Sequence, residues 1–395
     1  MAAGNPFRRV IIVVLDGVGI GALPDAADFG DEGTDSLGHV VRARGKLAVP
    51  NLAARGLARL ATLPGYEDTP VVGAYGTLAM QAPGKDSIDG HWELAGVIPA
   101  YGFPLFPDGF PPEVLAKLRA ATGRELIGNK AASGTAIIAE LGEEHLATGA
   151  LILYTSADSV CQLAAHVDEV PPAALCEMGR RARDAMTGPY AVARVIVRPF
   201  AGQAGAFRRL DGDRRDFALA PPAPTLLDRL VEAGLEVRGI GKVDDLFAGR
   251  GFTASVHTRD NDDGVARIAA ALGADFEGIV LANLNDTDTV YGHRNNAAGY
   301  AGSLERFDAA LPALGARVRD DDLVVIMSDH GNDPTTPGTD HTREYTPLLA
   351  WHPRLDAAVP LGVRATLADV GQTVAANFGL EPLAAGKSFL DEIGA

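Results

Sequence analysis

Short apolar runs alternate along the chain with stretches of helical period, the pattern of parallel strands joined by crossover helices. The runs predict strands at Val10–Leu15, Gly76–Met80, Leu151–Tyr154, Arg194–Val197, Leu235–Ile240, Gly278–Leu284 and Leu323–Met327. Helices are predicted at Pro112–Thr122, Thr225–Ala233 and Gly264–Leu272, stopping at Gly123, Gly234 and Gly273, where a left-handed cap is wanted. Two proline-rich stretches, Tyr101–Pro112 and Ala220–Pro224, read as linkers. They predict an α/β core made of residues 1–100 and 221–395, interrupted by a smaller inserted domain at 101–220.

Composition narrows the class. A chain of 395 residues exceeds what one hydrophobic core usually serves, and 47% hydrophobic with 22% charged residues is ordinary for a globular protein. The formal charge of −16, without any Lys/Arg-rich run, argues against nucleic acid as a partner. Cys161 and Cys176 are too few for a disulfide framework and lack a CxxC spacing, which fits a reducing cytoplasm. The run Val10–Leu15 is too short for a signal-peptide core or a membrane span, so neither export nor membrane attachment is expected.

In open α/β sheets ligands bind beyond the carboxyl ends of the strands. There Val10–Leu15 runs into Asp16, Gly278–Leu284 into Asn285-Asp286-Thr287-Asp288 and then His293, and Leu323–Met327 into Asp329-His330, with His341 following. An aspartate after a buried strand is ordinarily a turn-former or helix cap. Three such ends with three histidines are different, because carboxylates gathered at one sheet edge repel unless a cation neutralises them. Asp16, Asp288, His293, Asp329, His330 and His341 supply mixed oxygen and nitrogen donors for two divalent ions, a set that suits Mn²⁺ or Zn²⁺ better than Ca²⁺ or Mg²⁺. The glycine-bounded segment Gly84–Glu93 adds Ser87, either a nucleophile activated by neighbouring metals or a helix-capping serine. Trp92 within it reads as packing, as does His166 in an apolar stretch. Gly17-Val18-Gly19-Ile20-Gly21 has the wrong spacing for a dinucleotide fingerprint, and Pro24 follows where a helix should open.

Together Asp16–Gly21, Gly84–Glu93, Gly128–Thr135, Tyr154–Val160 and Asp329–Tyr345 resemble the phosphopentomutases of the alkaline phosphatase superfamily, over nearly the whole chain. Asp329-His330-Gly331-Asn332-Asp333 alone marks only the superfamily, which also holds phosphatases and cofactor-independent phosphoglycerate mutases. The segments Gly90-His91-Trp92-Glu93 and Thr155-Ser156-Ala157-Asp158-Ser159 narrow it. The resemblance implies an alkaline-phosphatase-like core sheet flanked by helices, an inserted α/β cap and two Mn²⁺ ions. It implies that Asp16, Asp329 and His330 hold one ion and Asp288, His293 and His341 the other, with Ser87 between them. Threonine is commoner than serine at that position in the family, and either hydroxyl can be phosphorylated. Ser156 and Asp158 are the implied sugar contacts, and Arg194, Arg198, Arg209 and Lys242 the candidates for the distal phosphate.

The expected activity is exchange of a phosphoryl group between O1 and O5 of ribose or deoxyribose phosphate, through a phosphoserine and a 1,5-bisphosphate, with a sugar bisphosphate as activator. A metal-dependent phosphatase or a phosphoglycerate mutase on the same fold is the alternative within the superfamily. A non-catalytic metal- or phosphosugar-binding protein would be expected to lack the hydroxyl or some ligands, and none of the seven positions is spoiled.

Overall fold

The computed structural model describes residues 5–156 and 159–394. They fall into two compact units: one reaches Tyr101 and resumes at Pro221, the other spans Gly102–Ala220. The first unit contributes β1 (Arg9–Leu15) and β2 (Gly73–Leu78). The second holds β3 (Leu126–Ala131), β4 (Leu151–Thr155), β5 (Val160–His166), β6 (Arg194–Ala201), β7 (Arg208–Arg209) and β8 (Arg215–Ala218). Back in the first are β9 (Glu236–Ile240), β10 (Ala254–Val256), β11 (Gly278–Leu284), β12 (Asp322–Met327), β13 (Thr346–Trp351) and β14 (Ala358–Arg364).

The first unit is built on an eight-stranded sheet in the order β10-β9-β11-β1-β12-β13-β2-β14. Strands β10 through β12 run parallel, β13 is antiparallel to β12 and β2, and β14 is parallel to β2. Every residue of β1, β11 and β12 is buried, as strands covered on both faces must be, and this is why they read as continuous apolar runs. Leu37, Val40, Leu304 and Phe307 from the helices Ser36–Arg44 and Ala297–Gly315 pack on one face, against Ile11, Val13 and Val280.

This topology decides where the chemistry collects. Because β9, β11, β1 and β12 are parallel, the residues after them emerge at one sheet edge: Lys242, Asp288, Asp16 and Asp329. The antiparallel β13 begins at that edge, bringing His341 just ahead of it, and β2, reversed again, ends there and leads to Ser87. Register sets the finer alignment. Arg9 lies opposite Asp322, so Asp16 and Asp329, each seven residues further along, end side by side. A buried ion pair holds that register: the Arg9 guanidinium donates to both Asp322 oxygens at 2.6 Å and to the carbonyls of Leu272 and Ala274. Arg9→Ala strands a buried carboxylate and is expected to cost about 3–5 kcal/mol, read as a lowered denaturant midpoint. An unchanged midpoint would remove this pair from the account of register.

The second unit has the sheet β3-β4-β5-β6-β7, with β8 also paired to β6. The helix Gly134–Thr148 covers one face through Ile137 and Ile138 against Ile152, Tyr154 and Phe200. Helices Pro112–Thr122 and Pro172–Ala185 cover the other through Val114, Leu118 and Leu175. His166 is structural, as expected: Nε2 lies 3.0 Å from the carbonyl oxygen of Gly202, and Nδ1 accepts from the amide of Asp168.

Gly123 is the left-handed cap its position predicts, at φ 69°. Gly273 is not; it is the last helical residue, and the extended Ala274 ends the helix. The strand expected at Gly76–Met80 is Gly73–Leu78, because a central strand with two glycines and a tyrosine carries a weak apolar signal.

Candidate active site

Ser87 is the first residue of the helix Ser87–Leu94, and it does not cap that helix. The cap is Asp86, whose carboxylate accepts from the amides of Ile88 and Asp89 at 2.7 and 3.1 Å. The Ser87 hydroxyl is thereby left for other partners. Its Oγ lies 3.1 Å from His330 Nε2 and 3.4 Å from Asp16 Oδ1, at a helix N-terminus where the backbone dipole favours negative charge.

The segment Gly90-His91-Trp92-Glu93 makes that placement rigid. A Cβ on Gly90 would fall 2.5 Å from the Asp329 carbonyl oxygen and 2.7 Å from Asp329 Cβ, so only glycine lets the helix approach this strand end. Trp92 Nε1 donates to the carbonyl of Leu246 at 2.8 Å. Glu93 accepts from the amides of Gln81, Ala82 and Leu367 and from the Thr366 hydroxyl. From the other side Arg343 donates to the carbonyls of Met80, Ala82 and Gly84. The loop between β2 and Ser87 is therefore clamped by a buried carboxylate and a buried guanidinium. Beside it the Asp89 carboxyl is buried without a hydrogen-bond partner among the described residues, and it is pushed up to about 8 by burial and then by Asp86 and Glu93. Gly90→Ala should raise helix propensity by about 1 kcal/mol yet displace Ser87, and a displacement near 1 Å costs about 100-fold in kcat. Steady-state kinetics with a thermal melt checks this; a variant with wild-type kcat would show that the close approach is unimportant.

Around Ser87 lie two groups of donors, Asp16 with Asp329 and His330, and Asp288 with His330 and His341. His330 belongs to both. Its Nε2 is 3.3 Å from Asp16 Oδ1 and 3.5 Å from Asp329 Oδ2. His293 Nε2 and His341 Nε2 approach Asp288 Oδ1 to 3.4 and 3.3 Å. Gly17, in the left-handed region at φ 76°, turns the chain after Asp16 close under Asp288, where a Cβ would lie 3.2 Å from the Asp288 Cβ. Lys242 Nζ is 3.2 Å from Asp16 Oδ2.

The charges are strongly coupled. Burial acts to raise the Asp16 carboxyl, but Lys242 and His330 outweigh it and hold the group well below the usual range. Burial likewise opposes ionisation of Asp288, and His341 and His293 hold it low. Burial would depress His330, yet the carboxylates of Asp329, Asp16 and Asp288 push the ring up to about 10. The cluster thus calls for positive charge.

Divalent cations fit this donor set. Nδ1 of His330 and of His293 each faces a backbone carbonyl, of Gly331 at 3.0 Å and Thr339 at 2.5 Å, which keeps a proton on Nδ1 and makes Nε2 the atom that would ligate a cation in place of its own proton. Asp329 Oδ2 is buried and, among the described residues, takes no well-formed hydrogen bond; its nearest nitrogen neighbours include His91 Nδ1 at 3.2 Å. Asn332 Nδ2 donates to Asp288 Oδ1 at 2.7 Å, and Asn283 Nδ2 to Asp16 Oδ2 at 2.9 Å. Sequence reasoning passed over these two asparagines. Asn283 had a signal, a lone amide in the otherwise apolar β11, and Asn332 lies inside the recognised Asp329–Asp333 segment.

The other expected contacts lie in the second unit. Ser156 follows β4, and Asp158 lies outside the described residues. Arg194 Nη1 is 3.9 Å from Asp216 Oδ2. Arg198 and Arg209 both approach Asp211, at 4.0 and 3.5 Å. Arg194 begins β6 while Arg209 pairs with Phe200 six positions further along, about 20 Å of strand.

Over residues 8–382 the chain matches the Metalloenzyme superfamily. It is 50% identical over 387 residues to a phosphopentomutase of Caldanaerobacter subterraneus subsp. tengcongensis, covering 98% of each chain. It is also 50% identical over 390 residues to a phosphopentomutase of Deinococcus radiodurans, covering 98% of this chain and 100% of the relative. Among solved structures, a phosphoglycerate mutase of Leishmania mexicana shares the fold over 97% of both chains, with a TM-score of 0.50 at 15% identity. The chain therefore belongs to the phosphopentomutase family of isomerases, within the metalloenzyme superfamily.

Proposed function

We propose that the protein interconverts ribose or deoxyribose 1-phosphate and the 5-phosphate through a phosphorylated Ser87. The observation that carries this is the Ser87 hydroxyl, nearly buried at a helix N-terminus between Asp16 and His330, with its helix capped by another residue. Phosphoserine 87 gives its phosphoryl group to the free sugar hydroxyl: the new P–O bond forms as the P–O bond to Ser87 breaks, and the proton lost by the sugar hydroxyl ends on the released Ser87 oxygen. The resulting 1,5-bisphosphate reorients and returns its other phosphoryl group to Ser87, leaving the isomer. No net phosphate is gained or lost, and a sugar bisphosphate primes enzyme that has lost its phosphoryl group.

Asp16, Asp329 and His330 would hold one divalent ion and Asp288, His293 and His341 the other; Mn²⁺ suits the mixed oxygen and nitrogen donors. Bound there, the ions would stabilise negative charge on the phosphoryl oxygens and on the serine oxygen. Lys242 adds a cation at the same sheet edge. Ser156, Asp158, Arg194, Arg198 and Arg209 are proposed as sugar and distal-phosphate contacts; Arg198 Nη1 and Arg209 Nε both lie within 4.0 Å of Asp211 Oδ1, so two guanidinium groups are near enough to share one anion. We place the enzyme in the cytoplasm, in keeping with free Cys161 and Cys176. No helix among the described residues is long and apolar enough to cross a membrane.

The test incubates purified protein with Mn²⁺, ribose 1-phosphate and a trace of sugar bisphosphate. Ribose 5-phosphate should accumulate without stoichiometric free phosphate. Inorganic phosphate as the main product would instead make the protein a phosphatase.

A further inference from the structure

His91 stands one helical turn after Ser87, and its imidazole is fully buried. Nδ1 lies 2.9 Å from the carbonyl oxygen of Ser87 and 3.2 Å from Asp329 Oδ2, two atoms that can only accept. The ring proton therefore sits on Nδ1. Nε2 faces Asn283 Nδ2 at 3.4 Å, the longest contact of the group, and the same amide nitrogen donates to Asp16 Oδ2 at 2.9 Å. That second bond fixes the amide's orientation, because turning it over would set its oxygen against the Asp16 carboxylate. Nε2 is then the acceptor, and each hydrogen in the chain has one direction.

One imidazole and one amide thus connect three parts of the site: the backbone of the nucleophile, Asp329 beside Nδ1, and Asp16 through Asn283. Both carboxylates belong to one donor group with His330, which also stands in the Asp288 group, but neither His91 nor Asn283 touches Asp288, whose own contacts are Asn332, His293 and His341. Packing alone does not require this chemistry, since an aromatic hydrocarbon ring would fill a similar volume. It would also leave the Asn283 amide without its second partner and Asp329 Oδ2 without a neighbouring donor.

We propose that His91 and Asn283 are paired positioning residues that hold Asp16 and Asp329 and so set the affinity of one of the two ions independently of the other. The proposal rests on the reading of Asp16 and Asp329 as ligands. Outer contacts of this kind alter metal affinity by about 10- to 100-fold.

The experiment titrates metal-depleted full-length protein with Mn²⁺ against a chelator of known affinity, resolving the two sites, and measures kcat and KM for ribose 1-phosphate. His91→Phe should weaken one site by about 10- to 100-fold, leave the other within about threefold, and lower kcat with little change in KM. His91→Asn places an amide N–H near the position of Nδ1 and should recover most of the lost affinity. His91→Gln, whose amide reaches towards Nε2, should not. Asn283→Ala should weaken the same site, and His91→Phe/Asn283→Ala should be no worse than the poorer single variant. Asn283→Ala also carries the test if His91→Phe fails to fold. Equal weakening of both sites, no advantage of asparagine over phenylalanine at 91, or additive losses would overturn the proposal. Fewer than two ions in the wild-type protein would instead overturn the site reading beneath it.

Discussion

Replacing Ser87 with alanine should eliminate isomerisation of ribose 1-phosphate, a loss on the order of 10⁴- to 10⁶-fold in kcat, because it removes the hydroxyl that stands at the helix N-terminus between Asp16 and His330. The six carboxylate and imidazole donors remain, so divalent metal should still bind, with some loosening of the ion nearest the missing oxygen. Asp86 remains as well, so the helix keeps its cap and the protein its stability. Ser87→Thr retains a hydroxyl at the same position and should stay within about tenfold of wild type. A coupled assay for ribose 5-phosphate reads both variants. Alanine turning over at more than a few per cent of the wild-type rate would exclude covalent catalysis at this residue.

Asp288→Ala carries the second large effect. Asn332 Nδ2, His293 Nε2 and His341 Nε2 all converge on Asp288 Oδ1, so this single carboxylate organises one donor group. Its removal should reduce bound divalent metal from two ions to one per chain. Loss of several kcal/mol of charge stabilisation then lowers kcat by about 10³-fold or more. The fold should persist, since removing one of three crowded carboxylates relieves repulsion. His341→Ala should follow the same course more mildly. Metal analysis after gel filtration, beside far-UV circular dichroism, checks both. Full activity with one ion per chain would contradict a two-ion site.

Much of this site could be read along the chain because the sheet translates sequence into position. Strands β1, β11 and β12 are wholly buried, so their apolar runs stand out and the aspartates one to four residues past them, Asp16, Asp288 and Asp329, fall where ligands of parallel sheets collect. His341 could be placed only by its nearness in sequence to Asp329. The strand that follows it, β13, is short, begins Thr-Pro and was not predicted. Strand β5, with Gln162 inside and His166 at its end, likewise lacks a clean period.

Ser87 remained ambiguous in sequence because a serine after an aspartate can cap a helix as readily as it can react. The bonds from Ile88 and Asp89 to Asp86 resolve that choice. What could not be read at all are interactions between distant segments, such as Gly90 against Asp329, Asn283 on Asp16 and Arg343 on the loop before Ser87, since periodicity carries no information about pairs so far apart.

The account turns on a phosphoryl group passing through Ser87, and mass spectrometry of wild-type protein primed with a sugar bisphosphate tests it most directly. One added phosphoryl group is predicted, mapped to the peptide containing Lys85–Glu93 and within it to Ser87, and chased into sugar bisphosphate by ribose 5-phosphate. A label on any other residue, or full isomerase activity in protein that never carries one, would contradict it.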